Sequence, residues 1–167
     1  MTPTGTDRKP SMNSDKTHGK HDDLTQKIIG VFYDVYNELG SGFLESVYRK
    51  SMRMALTQAG LMVQSEVPVP VSFRGELVGI FRADLIVQDV VLIELKACEA
   101  LAREHESQTL NYLKATSIEV ALLMNFGPTP RFKRLIMDNE YKKSKEKSVP
   151  SVPIGVKPLP TAPKTPA

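Results

Sequence analysis

Val90-Val91-Leu92-Ile93-Glu94-Leu95-Lys96-Ala97 is the stretch on which the fold turns. Val90, Val91, Leu92, Ile93 and Leu95 are apolar on both alternating faces, the pattern of a central strand covered on each side. Glu94 and Lys96 interrupt it two positions apart, so both side chains emerge on one face. A lone buried charge is costly unless it is paired or bound to a metal, and a Glu–Lys pair at the solvent end of the strand is one account of these two. The preceding strand suggests another. Asp84 closes Arg82-Ala83-Asp84 and sits between Phe81 and Leu85-Ile86-Val87, where a carboxylate is again out of place. If the hairpin loop has three residues, Gln88 to Val90, Asp84 lies opposite Glu94 and the two carboxylates share a face. A two-residue loop would separate them, barring a bulge. Asp84 has an alternative role as a turn-proximal cap for a backbone amide. Two carboxylates beside a lysine form a hard-oxygen site suited to Mg²⁺ or Mn²⁺, with the lysine placed to orient or activate an attacking water.

Upstream, Leu24, Ile28, Val31, Phe32, Val35, Tyr36 and Leu39 recur at intervals of three and four, which predicts an amphipathic helix stopped by Gly40. After Gly40-Ser41-Gly42 a second helix is expected from about Phe43 to Ala59, ending at Gly60. Alternation follows: Val67, Val69, Val71 and Phe73 share a face, and Pro68 and Pro70 confine this strand to a sheet edge. Arg74-Gly75-Glu76 is a turn, and strands at about Leu77–Val87 and Val90–Ala97 come next. Downstream, a helix is expected over Arg103–Ala115, a buried strand over Ile118–Asn125 and a last strand over Phe132–Met137. The order ααβββαβ(β) is that of an α/β domain with a mixed sheet.

The chain has 167 residues, 41% of them hydrophobic and 25% charged, the composition of an ordinary globule. Its longest aliphatic or Met run, Val120–Met124, is far too short to cross a bilayer, so no membrane partner is expected. Met1–Lys20 has no apolar segment of the secretory kind, and the single Cys98 cannot form an internal disulfide; both point to the cytoplasm. Buried packing is the expected role of Cys98. The net charge of +3 is unevenly spread: residues 1–20 carry +2 and residues 141–167 carry +5, leaving −4 between them. Eight of the twelve prolines also lie in these ends, so residues 1–20 and 141–167 are expected to be disordered tails around a folded domain at 21–140. An acidic domain is not a basic platform for DNA. Arg74, Arg82, Arg131, Lys133 and Arg134 are its candidate phosphate contacts.

Asp84, then Glu94-Leu95-Lys96, then a helix bearing Gln108-Thr109-Leu110-Asn111-Tyr112 resembles the PD-(D/E)xK nuclease superfamily, and the Gln-x-x-x-Tyr step is similar to its RecB-like branch. Gly42-Phe43-Leu44-Glu45-Ser46-Val47-Tyr48 resembles the signature of the small GxxExxY proteins. Ala83 stands where the superfamily's nominal proline would be. The resemblance runs from about Asp23 to Ile136 and implies a restriction-endonuclease-like core, a mixed central sheet flanked by helices. It implies that Asp84 and Glu94 ligate Mg²⁺ or Mn²⁺ with the backbone carbonyl of Leu95, that Glu45 completes the metal site, and that Lys96 positions the water or stabilises the phosphorane. Glu45 has an alternative role as the N3 residue of a helix capped by Gly42, paired with Arg49 four residues on. The resemblance also implies that Gln108 and Tyr112 stand beside the active site and help to hold the lysine or the phosphate. His105, a turn before Gln108, reads as a surface histidine. The function implied is divalent-metal-dependent hydrolysis of nucleic-acid phosphodiester bonds, DNA or RNA, leaving a 5′-phosphate. The other reading is a nuclease-fold accessory module that holds nucleic acid or a protein partner without turnover.

Overall fold

The computed structural model describes residues 19–145. Helix α1 (Asp22–Leu39) and helix α2 (Glu45–Gln58) lead into strands β1 (Val63–Phe73), β2 (Glu76–Val87) and β3 (Val91–Lys96); helix α3 (Arg103–Ala115), strands β4 (Val120–Asn125) and β5 (Arg131–Ile136) and a short helix α4 (Asn139–Lys145) complete it. The five strands lie in sequence order. β3 and β4 are parallel and every other neighbouring pair is antiparallel, so the sheet is mixed and the fold is α/β.

Two apolar clusters follow from the alternation of β3 and β4. Ile93, Leu95, Leu122 and Met124 pack with Ile28, Phe32, Tyr48 and Met52 of α1 and α2 on one face. Leu92 and Ala121 pack with Tyr112 and Leu113 of α3 on the other. β3 is thus covered on both sides, as apolar residues on both of its alternating faces require.

The hairpin β1–β2 turns over midway. Leu85 and Val63 belong to the α1/α2 cluster, whereas Ala83, two residues from Leu85, and Val67, four residues from Val63, belong to the α3 cluster. No residue is inserted, because Ser65↔Leu85 and Val67↔Ala83 keep one register. Both strands instead twist at Glu66, whose φ is 54°, and at Asp84 across from it. Beyond the twist the outer hairpin leaves the domain body, with Phe73, Leu77, Val78 and Ile80 exposed.

Three expectations need correction. α2 begins at Glu45 with Leu44 as N-cap, because Gly42, at φ 108°, is still turning the chain. Glu45 is therefore the first residue of the helix and not N3. β1 begins four residues earlier than its alternation suggested, where Val63 pairs with Val87. The boundary expected at 140 falls inside α4, whose Lys142 is buried and donates from Nζ to the carbonyls of Thr116 at 3.0 Å and Ile118 at 2.5 Å. A cation suits the carbonyl-rich C-terminal end of α3. The disorder expected for the tails otherwise concerns residues outside those described. No helix among the described residues is long and apolar enough to cross a membrane.

Candidate active site

The hairpin loop has three residues. Pairing resumes at Val87↔Val91 after a turn closed by the Val90 N–H on the Val87 carbonyl, with Gln88 and Asp89 both in left-handed backbone. This register puts Asp84 across from Glu94, but regular β2–β3 pairing ends one step earlier, at Leu85↔Ile93. The twist at Asp84 parts the strands there, and its side chain fills the gap: Asp84 Oδ2 accepts the Leu95 N–H at 2.9 Å. A carboxylate does the work of the missing backbone acceptor.

Asp84 Oδ1 accepts from Arg49 Nη1 at 3.1 Å, while Arg49 Nη2 reaches Glu66 Oε1 at 3.2 Å. Arg49 therefore forks across the twist and does not serve as the i+4 partner of Glu45. Glu94 is only 4% exposed. Its Oε1 accepts from Lys96 Nζ at 2.9 Å, and its Oε2 is buried with no hydrogen-bond partner. Burial pushes the Glu94 carboxyl up to about 7, and the charge of Asp84 adds to this, against the hydrogen bond and charge of Lys96. Lys96 loses hydration by burial, which disfavours its charge, but the hydrogen bond and charge of Glu94, with the charges of Glu45 and Asp84, hold its pKa above the ordinary lysine value.

Glu45 is exposed at the start of α2 and acts on Glu94 and Lys96 through its charge. Leu95 points its buried side chain into the α1/α2 cluster. On α3, Gln108 Nε2 donates to the Tyr112 hydroxyl at 2.9 Å. Burial raises the Tyr112 phenol, and the charge of Glu94 is the next cause. The structure thus gathers Asp84, Glu94 and Lys96 at the end of the β2–β3 pair, with Glu45 on one side and Tyr112 and Gln108 on the other.

A family model described as the PD-(D/E)XK nuclease superfamily matches residues 22–135. The chain belongs to that superfamily. The matched region of this PD-(D/E)XK protein starts with α1 and ends inside β5, so it contains every site residue named above. A solved protein, reported as the crystal structure of SSO0001, is similar over 77% of this chain and 66% of its own, with 16% identity and a TM-score of 0.48. The chain thus spans just under two thirds of that protein. No curated protein is detectably similar in sequence.

Among the described residues no group of three or more His, Cys, Asp or Glu side chains gathers to cage a metal ion. A divalent ion of the Mg²⁺ kind keeps several waters and needs only one or two carboxylates. Glu94 and Asp84 fit that demand, because the pair crowds negative charge and leaves one buried carboxylate oxygen unsatisfied. A buried acceptor of this sort is ordinarily satisfied by an ordered water or an ion.

Other residues around this candidate site were not evident beforehand. The Asn125 side chain, fully buried, accepts the Cys98 N–H at 3.0 Å and donates to the Cys98 carbonyl at 2.8 Å. It pins the chain just after Lys96. Cys98 itself is only half-buried, which corrects its expected role: the backbone is what is held there. An Asn closing the all-apolar run Val120–Met124 was the available signal. The Tyr48 hydroxyl donates to the Gly40 carbonyl at 2.8 Å and accepts the Phe43 N–H at 3.2 Å, and its ring stacks on Phe126 at 4.2 Å. In Gly42-x-x-Glu45-x-x-Tyr48 the tyrosine therefore shapes the turn that presents Glu45. His105 Nδ1 accepts the Ala102 N–H at 3.1 Å and caps α3.

Proposed function

We propose that the protein is a divalent-metal-dependent nuclease that hydrolyses phosphodiester bonds, within the RecB-like branch and the GxxExxY group. The observation that carries this is the unpartnered, buried Oε2 of Glu94 beside Asp84 and Lys96 in a PD-(D/E)XK chain. Mg²⁺ or Mn²⁺ held by Glu94 and Asp84, with the Leu95 carbonyl and Glu45 outside them, would supply Lewis acidity and an acidified water. Asp84 is fixed by Leu95 and Arg49, so it meets its ligand without rearranging. Lys96 spends one ammonium proton on Glu94. Its other two are free to orient the attacking water and to steady charge building on the phosphoryl oxygens. Water adds to phosphorus and gives up a proton to solvent, the bond to the leaving sugar oxygen breaks, and that oxygen takes a proton from solvent.

Arg49 already engages Asp84, and this supports a second reading: a nuclease-fold module that holds nucleic acid, or a protein, without turnover. Calorimetric Mn²⁺ titration beside a nuclease assay on labelled DNA and RNA separates the two. Asp84→Asn and Glu94→Gln should lose both metal binding and cleavage. Lys96→Ala should keep metal binding and lose about a hundredfold or more in rate. Wild-type protein that binds no divalent ion, or cleavage that persists in Glu94→Gln and Lys96→Ala, would overturn the nuclease reading.

A further inference from the structure

An open groove of about 370 Å³ lies against the candidate active site, lined by Phe81 of β2 and by Arg103, Glu104, Ser107, Gln108, Asn111 and Tyr112 of α3. Resting on the nuclease reading, we propose that this groove binds one unpaired nucleotide next to the scissile phosphate, which makes single-stranded nucleic acid the substrate class. Phe81 is 42% exposed and its ring meets that of Tyr112 in a T-shaped contact at 5.3 Å, so part of its apolar surface is open at the groove. An exposed aromatic ring is a stacking platform for any base. Asn111 and Ser107 bring hydrogen-bonding groups to the edge of such a base, and Arg103 brings a guanidinium that suits the phosphate.

Position links the groove to the chemistry. Gln108 and Tyr112 both line it, and Tyr112 packs in one cluster with Ala83, next to Asp84 on β2, and Leu92, two residues from Glu94 on β3. A nucleotide seated on Phe81 therefore continues into the phosphate site. The rest of the surface disfavours a duplex. Residues 21–140 carry −4, and Glu104 stands on the groove's own rim, whereas duplex binding relies on a broad basic face.

The chain contains no tryptophan, so Phe81→Trp installs a single indole at the stacking position. In the non-cleaving Glu94→Gln background, oligo(dT) should quench that indole saturably, and the same length of duplex should not. Phe81→Ala in that background should weaken oligo(dT) binding by anisotropy about tenfold or more, and Phe81→Trp should restore it. In the cleaving protein, Phe81→Ala should raise KM more than it lowers kcat and leave calorimetric Mn²⁺ affinity unchanged. Unaltered oligonucleotide affinity in Phe81→Ala, duplex bound as well as single strand, or self-association through Phe81 with no quenching would overturn the proposal. If cleavage and Mn²⁺ binding are absent but quenching by oligo(dT) persists, the nuclease reading fails and the groove stands as a nucleotide site.

Discussion

Glu94 is the residue at which folding and the proposed function pull in opposite directions. Burial and the neighbouring Asp84 raise its carboxyl from the ordinary 4.5 to about 7. Below about 4.5 both the folded and unfolded chains hold the proton. Between there and about 7 the unfolded chain releases it first, so this group's stabilising contribution is lost as pH rises through the folded value. The shift corresponds to a pH-dependent loss on the order of 3 kcal/mol. In EDTA, the fall in stability between pH 5 and pH 8 should therefore be steeper for the wild type than for Glu94→Gln, by urea denaturation at each pH. The variant also deprives Lys96 of its partner, but that offset acts at both pH values and cancels in the comparison. Mn²⁺ at a hundredfold excess over its Kd should return about 2.7 kcal/mol at pH 8 in the wild type, and nothing in the variant. Unchanged slopes would mean that Glu94 is better solvated than its 4% exposure indicates.

At the scale of elements, the strand edges after β3 and β4 are held by side chains and not by further pairing. Asn125 holds both backbone groups of Cys98, the Phe126 N–H reaches the Lys96 carbonyl at 2.7 Å, and a Cβ added to Gly127 would lie 2.0 Å from the Cys98 carbonyl oxygen. Asn125→Leu should cost about 1–3 kcal/mol for unsatisfied backbone groups. Gly127→Ala forces two backbones apart and should cost at least about 1–3 kcal/mol, the usual scale of overpacking. Denaturant midpoints read both, and wild-type stability in Gly127→Ala would show that the loop yields freely. These contacts mark where sequence reading stops. α1 was legible because its apolar residues recur at intervals of three and four up to Gly40, and β3 because its apolar run admits few alternatives. The register that sets Asp84 across from Glu94 followed from a loop length that the sequence allowed but did not force. The Arg49 fork was hidden, since Glu45 offered an equally spaced local partner and only the hairpin twist brings Glu66 and Asp84 to Arg49. The Asn125 clamp joins residues 27 positions apart, and no local pattern encodes such a pairing.

For the whole molecule, the outer β1–β2 hairpin is the exposed consequence of the site's design. The twist that frees Asp84 from the ladder sends Phe73, Leu77, Val78 and Ile80 into solvent, and β1 is one of the two edge strands of the five-stranded sheet. A long edge beside exposed apolar side chains invites strand addition from another copy. Pro68 and Pro70 oppose this. They are two residues apart in a strand that stays paired with β2 at Pro68↔Arg82 and Pro70↔Ile80, so both ring nitrogens occupy the outward positions where free N–H donors would stand. Replacing both with Thr restores two outward donors and a good strand former without adding apolar surface. The Pro68→Thr/Pro70→Thr variant should keep its fold by circular dichroism and yet associate with rising concentration in sedimentation velocity, where the wild type does not change. Adding Lys at Ser72 in that variant should reverse the effect, because a charge on an edge strand blunts pairing. A double variant that stays at the wild-type sedimentation coefficient would show that the hairpin twist alone protects this edge.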